Sequence, residues 1–254
     1  MKVYKYLSAK YALEYLRTKM LKVATLEDVN DPNEWIPYLQ NETDGSDYLA
    51  DPKLRVAFKN QWGHKFGFIS FSTQMDNSIL WAHYGDKFKG IVLEFEIGPS
   101  ASVFPVRYQS TRYLINKAEL GKVSDCDQLQ QFIAQKDSVW AHESEWRILI
   151  GLADCQIHVT ESGDPIYLAG MGKGICLSGV VLGPECPVRL GHILCELESV
   201  KNDEICIRRM CWDSSTYSLY VSDECKINQP QLWNMRTDLH TTMRRQPIPI
   251  TGNE

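Results

Sequence analysis

Two groups of residues in this chain have the types and spacing to do chemistry. The sharper is Glu143-Ser-Glu145 with Arg147, at the opening of the alternating segment 142–150. Alternation puts Trp146, Ile148 and Ile150 on one face of a strand, and Glu143, Glu145 and Arg147 on the other. Carboxylates at i and i+2 of a strand stand about 7 Å apart and share one solvent pocket. Like-charge proximity raises the pKa of one while the other stays ionised. That suits a division of labour between holding a substrate hydroxyl and stabilising developing charge. The competing reading is a cross-strand ion ladder, with Arg147 facing Glu94 or Glu96 of a neighbouring strand. The second group is a strand end, Ile69-Ser-Phe-Ser72, followed by a helix bearing Trp81, His83 and Tyr84. Hydroxyls at a strand end, with aromatic rings one helical turn apart, can line a pocket that stacks a flat ring. The plain alternative is an aromatic core helix, with Ser70 and Ser72 bonded to backbone.

Other chemistry finds no support. There is no P-loop, no His-Glu-x-x-His, no Gly-x-Ser-x-Gly and no calcium loop. Gly170-Met-Gly-Lys-Gly174 reads as a turn, because it lacks the dinucleotide pattern and its flanking strand and helix. The remaining histidines (64, 142, 158, 192 and 240) have no partner spacing, and Arg244-Arg245 reads as a solvated end. The eight cysteines contain no Cys-x-x-Cys and no zinc-type Cys/His quartet. They read as reduced core residues of a cytoplasmic protein, and no metal is expected.

The elements that must position these groups follow from periodicity and caps. A strand at 3–6 leads to a helix that Ser8 caps and that runs to about Lys19, with Ala12, Leu13, Leu16 and Met20 at helical spacing. A second short strand at 21–24 precedes an acidic loop, and a helix follows at 53–62. Strands are expected at 65–72 and 89–96, with a helix capped by Asp76 or Asn77 between them and stopped by Gly85. In the second of these strands Ile91, Leu93 and Phe95 point one way, and Val92, Glu94 and Glu96 the other. Residues 127–140 read as an amphipathic helix with Leu129, Ile133, Val139 and Trp140 in the core. More strands are expected at 156–160, 166–169, 177–182, 205–209 and 217–221. Pro187 opens a helix carrying Leu190, Ile193, Leu194 and Leu197. The result is an α+β, strand-rich single domain over 1–226 with helices inserted between strands, and an irregular tail over 227–254.

Composition bounds the class. At 254 residues, 44% hydrophobic and 23% charged, with no apolar run near the roughly 18 residues of a membrane helix, the chain is neither membrane-spanning, fibrous nor disordered. The N-terminus reads as no secretory signal. The net charge of −5 conceals a distribution: residues 23–52 hold no Lys or Arg but eight acids. Taking those from the 32 acids leaves 24 against 27 bases, so the rest of the chain carries +3. Net charge therefore does not exclude a nucleic-acid partner. The acidic stretch is expected to lie near the site and to repel a polyanion until something moves it.

Taken in order, the motifs carry a resemblance. They are Tyr4-Lys-Tyr6, Asn30-Asp-Pro32 ahead of an acidic residue, Phe68-Ile-Ser-Phe-Ser72 with Asp76-Asn77, Leu80-Trp-Ala-His-Tyr84, Lys89-Gly90, Leu93-Glu-Phe95, and Trp140 with Glu143-Ser-Glu-Trp-Arg147. The series resembles the bacterial domain-of-unknown-function family 2971 over roughly residues 1–222. The order of a first-strand polar residue, a Ser-x-Ser strand end and a later Glu-x-Glu is also similar to the arginine–serine–glutamate triad of ADP-ribosyltransferases. That second resemblance implies a split-sheet fold of that kind, NAD as co-substrate and a toxin or phage-defence role in the cytoplasm. The partners it implies are a nucleic-acid or protein acceptor and an antitoxin or regulatory protein. It further implies that Lys5 or Tyr6 holds NAD phosphate or ribose, that Ser70 and Ser72 buttress the site, and that Tyr84, beside Trp81 and His83, stacks on nicotinamide. Glu145 would stabilise the oxocarbenium-like transition state, Glu143 would orient the acceptor, and Asn30 and Arg147 would contact the substrate. The chain departs from the pattern in having no first-strand arginine and in reading Ser-Phe-Ser where Ser-Thr-Ser is usual. A lysine lacks arginine's bidentate geometry. Two other classes stand beside this reading. One is a non-catalytic binding module built on the aromatic pocket around Trp81 and Tyr84. The other is a metal-dependent nuclease that gathers Glu94, Glu96 and Glu143.

Overall fold

A computed structural model describes residues 1–120, 130–131, 133–160, 162–197 and 205–221. The fold is α+β and strand-rich, as expected. The expected tail, 227–254, lies outside the described residues. Two compact units share the chain, neither a contiguous segment. Of the described residues, one comprises those within Met1–Lys5, Met20–Met75 and Ile97–Ile175; the other comprises those within Tyr6–Lys19, Asp76–Glu96 and 176–221.

The first unit is organised by an antiparallel pair. Strand β4 (Phe66–Ser72) runs against β10 (Glu145–Gly151) in register from Glu145↔Ser72 to Gly151↔Phe66. Strand β1 (Lys2–Leu7) meets β4 at Tyr4↔Ser72, and β6 (Phe104–Pro105) lies on the far side of β10. Gly67 is required here, because a Cβ would stand 2.5 Å from Val23 Cγ1 and 2.7 Å from the Ala24 carbonyl oxygen. Three small sheets complete the unit. In the first, β2 (Met20–Lys22), β12 (Pro165–Gly170) and β11 (Gln156–Val159) are antiparallel. In the other two, β3 (Tyr38–Gln40) pairs in parallel with β8 (Leu114–Asn116), and β7 (Arg107–Gln109) with β9 (Gln135–Asp137). Helix α2 (Pro52–Gly63) starts where expected, with Pro52 in its first turn and the Asp51 carboxylate accepting the Lys53 N–H. The core joins Phe58 and Trp62 of α2 to Phe68, Leu26, Trp35, Ile36 and Ile133.

The acidic stretch 23–52 is therefore more than a loop, since it supplies Trp35, Ile36 and Leu39 to the core. Its acids do structural work. Asp28 pairs with Lys22, and Asp47 pairs with Arg112 while accepting two backbone N–H groups. Asp44 bonds Ser46, and Asp31 accepts the Asn33 N–H. A freely displaceable negative screen does not describe it.

Residues 127–140 also depart from expectation. Helical backbone ends near Ile133, β9 follows, and a 3₁₀ turn runs over Ser138–Glu143. Pairing with β7 captures residues 135–137 as strand, and the Asp137 carboxylate, accepting the Val139 N–H, starts a new turn. Ile133 is in the core as expected, but Val139 is 70% exposed and Trp140 half-buried. Asp127 and Leu129 lie outside the described residues.

In the second unit, β5 (Ile91–Ile97), β13 (Ile175–Leu182), β14 (Cys206–Trp212) and β15 (Leu219–Val221) are neighbours in that order. The pair β13 and β14 is parallel, and helix α4 (Leu190–Leu197) lies in the connection between them, as a parallel crossover requires. Helix α1 (Ala9–Thr18) buries Ala12, Tyr15 and Leu16 and ends at Lys19 in the left-handed conformation; Ser8 stands at its N-cap without a side-chain cap bond. Helix α3 (Ser78–His83) is capped by Asn77, whose carbonyl accepts the Ile79 and Leu80 N–H groups. In β5 the expected two-faced pattern is replaced by burial of Ile91 through Phe95. Glu94 is included, and is held by Arg208 and Ser178. Among the described cysteines Cys186 alone is buried. Cys176 alternates outward between Ile175 and Leu177, and Cys195 is exposed. Among the described residues no helix is long and apolar enough to cross a membrane.

Candidate functional site

The site grows from the β4–β10 pairing. Cross-strand partners share a sheet face, so Glu145 stands opposite Ser72 and Arg147 opposite Ser70. Small serines leave room for the long side chains beside them. Ser70 is half-buried, and the Ser72 hydroxyl donates to the Glu143 carbonyl at 2.6 Å while accepting the Gln74 N–H at 3.0 Å. Ser72 thus braces the turn that leads into β10, and Ser70 stands across from Arg147. Glu143 is not on the strand. It ends the 3₁₀ turn, and Ser144 adopts the left-handed conformation (φ 46°, ψ 50°) that turns the chain into β10. The Glu145 N–H donates to the Tyr108 hydroxyl at 2.8 Å, and burial pushes the Tyr108 phenol's pKa up.

Arg147 is 1% exposed and is the hub. Its Nε and Nη2 donate to the two Glu145 carboxylate oxygens at 2.8 Å each, Nη1 donates to the Ile133 carbonyl at 2.9 Å, and Nη2 also donates to Glu34 Oε1. The guanidinium lies 4.5 Å from the centre of the Phe68 ring. Lys136 is a second cation: its ammonium stands 2.6 Å from Glu143, 3.5 Å from Glu145 and 3.9 Å from Glu34, over the Trp140 ring. Three buried carboxylates therefore face two buried cations, with Lys5 close enough to Glu145 to act on its charge.

The same surroundings push two of the carboxyls apart. Burial raises the Glu34 pKa, and Arg147 and Lys136 offset only part of that rise. Burial acts in the same sense on Glu145, but Arg147, Lys136 and Lys5 together hold it below the ordinary carboxylate range. Burial would lower Lys136, yet Glu145, Glu34 and Glu143 keep it above the usual lysine value. Burial brings half-buried Lys5 down to about 8, against the upward pull of Glu145. Between about pH 8 and the ordinary lysine value the unfolded chain binds the extra proton, so stability rises with pH across that window. The Lys5→Met variant is expected to flatten that rise, read as urea midpoints at pH 7.5, 8.5 and 9.5.

The cluster opens on a cleft of about 700 Å³. Glu34 and Lys136 stand in its wall together with Trp35, Tyr38, Tyr113 and Arg55. Glu145 does not line it. Both its oxygens are taken by Arg147, and it stands behind Glu34 as the group that fixes the arginine. Thus Lys5, Ser70, Ser72, Glu143, Glu145 and Arg147 lie near one another, while of the cluster's three carboxylates the one that reaches the cleft is Glu34, beside Asp31 and Asp137. Arg147 meets Glu34 and Glu145, not the Glu94 or Glu96 of the competing ion-ladder reading, and Glu94 pairs with Arg208. Asn30 is exposed, four residues before Glu34. The motif Asn30-Asp-Pro32 ahead of an acid contained the signal for Glu34. Lys136 and Tyr108 had none, since the first sat in a segment read as helix.

The aromatic group belongs to the second unit. Trp81 is fully buried, with its ring 5.2 Å from that of buried Tyr6 in an edge-to-face contact, so both are core residues. Trp81 presents no face on which a ligand could stack. His83 is exposed and Tyr84 half-buried, their rings 6.2 Å apart.

Backbone geometry at Ser144 is testable. A non-glycine residue in the left-handed region is strained, so Ser144→Gly is expected to keep or slightly raise stability. Ser144→Val is expected to lower it by about 1–2 kcal/mol, read by thermal unfolding.

Comparison with protein-family models, with curated protein sequences and with solved structures finds no match.

Proposed function

We propose that the chain is an NAD-dependent, ADP-ribosyltransferase-like effector of the toxin or phage-defence kind, acting in the cytoplasm on a nucleic acid or a protein. The observation that carries this reading is Glu34, a buried carboxylate in the wall of an aromatic-lined cleft, backed by an Arg147–Glu145 pair. The resemblance of Ser-x-Ser and Glu-x-Glu to the transferase triad supports it further.

The dinucleotide supplies a C1′–N glycosidic bond, which breaks with its electron pair leaving on neutral nicotinamide and positive charge growing on the ribose. The acceptor's lone pair then closes on C1′ and its proton passes to solvent. Glu34 faces that growing charge, and a fixed carboxylate in a dry wall stabilises it without reorganising. Arg147 sets the orientation of Glu34, and Glu145 sets that of Arg147, so Glu145 is a positioning residue. Glu143 holds Lys136 beside them. Tyr38 and Tyr113 offer rings to a planar base.

The test is to incubate the chain with NAD labelled in its adenylate half, together with RNA, DNA and cell lysate. Release of nicotinamide and labelling of one acceptor class are expected; neither occurring sinks the reading. Because Glu34 must be ionised and its pKa is raised, activity should fall as pH drops through a value above the ordinary carboxylate range. An acid limb at the ordinary value would speak against Glu34.

A second reading, a non-catalytic binding module, is favoured by one observation: every carboxylate of the cluster already faces a cation. With Trp81 buried, its aromatic surface would be that of Tyr38 and Tyr113. It predicts ligand binding in the cleft without nicotinamide release.

A further inference from the structure

Two N–H groups in the wall of this cleft are buried and without a hydrogen-bond partner among the described residues: Trp35 Nε1 and Arg55 Nε. Both are donors. A buried donor left without an acceptor is destabilising, and such groups in native proteins call for an explanation. Trp35 carries a second penalty, because it is 2% exposed and held at φ 64°, a left-handed conformation costly for a bulky side chain. Backbone bonds from the Glu34 N–H to the Asp31 carbonyl and from the Ile36 N–H to the Asn33 carbonyl hold it there. Arg55 reaches the same wall from α2, with Nη2 donating to Asn33 Oδ1 and its Nε edge unsatisfied.

Lys59 stands one helical turn beyond Arg55. Burial and the neighbouring guanidinium both lower its pKa, which Asp31 and Glu34 only partly counter. Neither Arg55 nor Lys59 forms an ion pair among the described residues. The nearby acids are already engaged, Asp31 by the Asn33 N–H and Glu34 by Arg147. Two unsatisfied donors thus belong to residues of one cleft wall, and a second cation, Lys59, follows one helical turn after Arg55.

We propose that Trp35 and Arg55, with Lys59 adding charge from the next helical turn, form an oxyanion subsite that takes a phosphate group of the cleft's ligand. Charge-assisted hydrogen bonds to phosphate satisfy both donors and separate the two cations with an anion. The subsite rests on the dinucleotide reading for the identity of its ligand.

The test is calorimetric titration of the full chain with ADP and with adenosine. Wild type is expected to bind ADP about ten- to a hundredfold more tightly than adenosine. Arg55→Gln should lose most of that ratio. Trp35→Phe, which keeps a ring but removes the N–H, should lose part of the ratio while its melting temperature holds or rises. A purely structural tryptophan would show the reverse, a lower melting temperature with the ratio intact. Failure of wild type to bind ADP, equal affinity for ADP and adenosine, or ADP binding by Arg55→Gln at the wild-type level overturns the subsite. The two proposals fail separately. ADP binding without nicotinamide release from NAD defeats the transferase reading and leaves the subsite standing. Nicotinamide release with KM for NAD unchanged in Arg55→Gln defeats the subsite alone.

Discussion

Replacing Arg147 by methionine is expected to lower the free energy of unfolding by about 3–5 kcal/mol, read as a fall in the urea midpoint at constant slope. Methionine preserves most of the stem's packing, so the loss isolates the charge. Arg147 is the bidentate partner of Glu145 and a donor to Glu34, and all three are almost fully buried. Without it two carboxylates remain in a low-dielectric wall with Lys136 shared among three acids. Adding Glu145→Gln to the methionine variant should recover part of the loss, because the second change removes one of the stranded charges. A cost below about 1 kcal/mol, the worth of an exposed pair, would mean that water reaches the cluster.

The second large effect separates Glu34 from Glu145. Glu34→Gln is expected to reduce kcat for nicotinamide release by about 10²–10³-fold with KM little changed. The fold should hold, since Arg147 keeps Glu145 and Lys136 keeps Glu143. Glu145→Gln removes the bidentate partner of Arg147 and acts on chemistry only through that arginine. Its expected loss is about tenfold in kcat, one pairing's worth of orientation at roughly 1.4 kcal/mol, with a visible fall in stability. The opposite ranking, with Glu145→Gln the more damaging to kcat and stability equal in the two variants, would return the central role to Glu145.

Much of this organisation is legible in linear order. Asn77 ahead of Ile79-Leu80 and Asp51-Pro52 ahead of α2 are caps whose bonds are local, so the helices start where the residue types say. Alternation in 145–151 is equally local, and Glu145 and Arg147 share a face as pleating demands. The misreadings have one cause. Residues 135–137 lie in an otherwise helical pattern and become strand because β7 pairs with them; that pairing partner is 28 residues upstream, at Arg107↔Gln135. Val92 and Glu94 looked like an outer face because a strand buried on both sides cannot be told from a one-sided one by its own residues.

What the sequence by itself determined is the α+β class, the longer helices and strands, and the placing of Glu145 and Arg147 on one face of β10. Each follows from contacts within a few residues or from side-chain period. Tertiary structure alone decided which acid reaches the cleft and which cations neutralise the cluster. Glu34 and Arg147 are separated by 113 residues, in a stretch whose eight acids look alike in composition. Burial takes two of them, Asp31 and Glu34, and of these Glu34 alone pairs with Arg147. It raises the Glu34 pKa in the cleft wall, while the bidentate contact with Arg147 holds the Glu145 carboxyl ionised behind it.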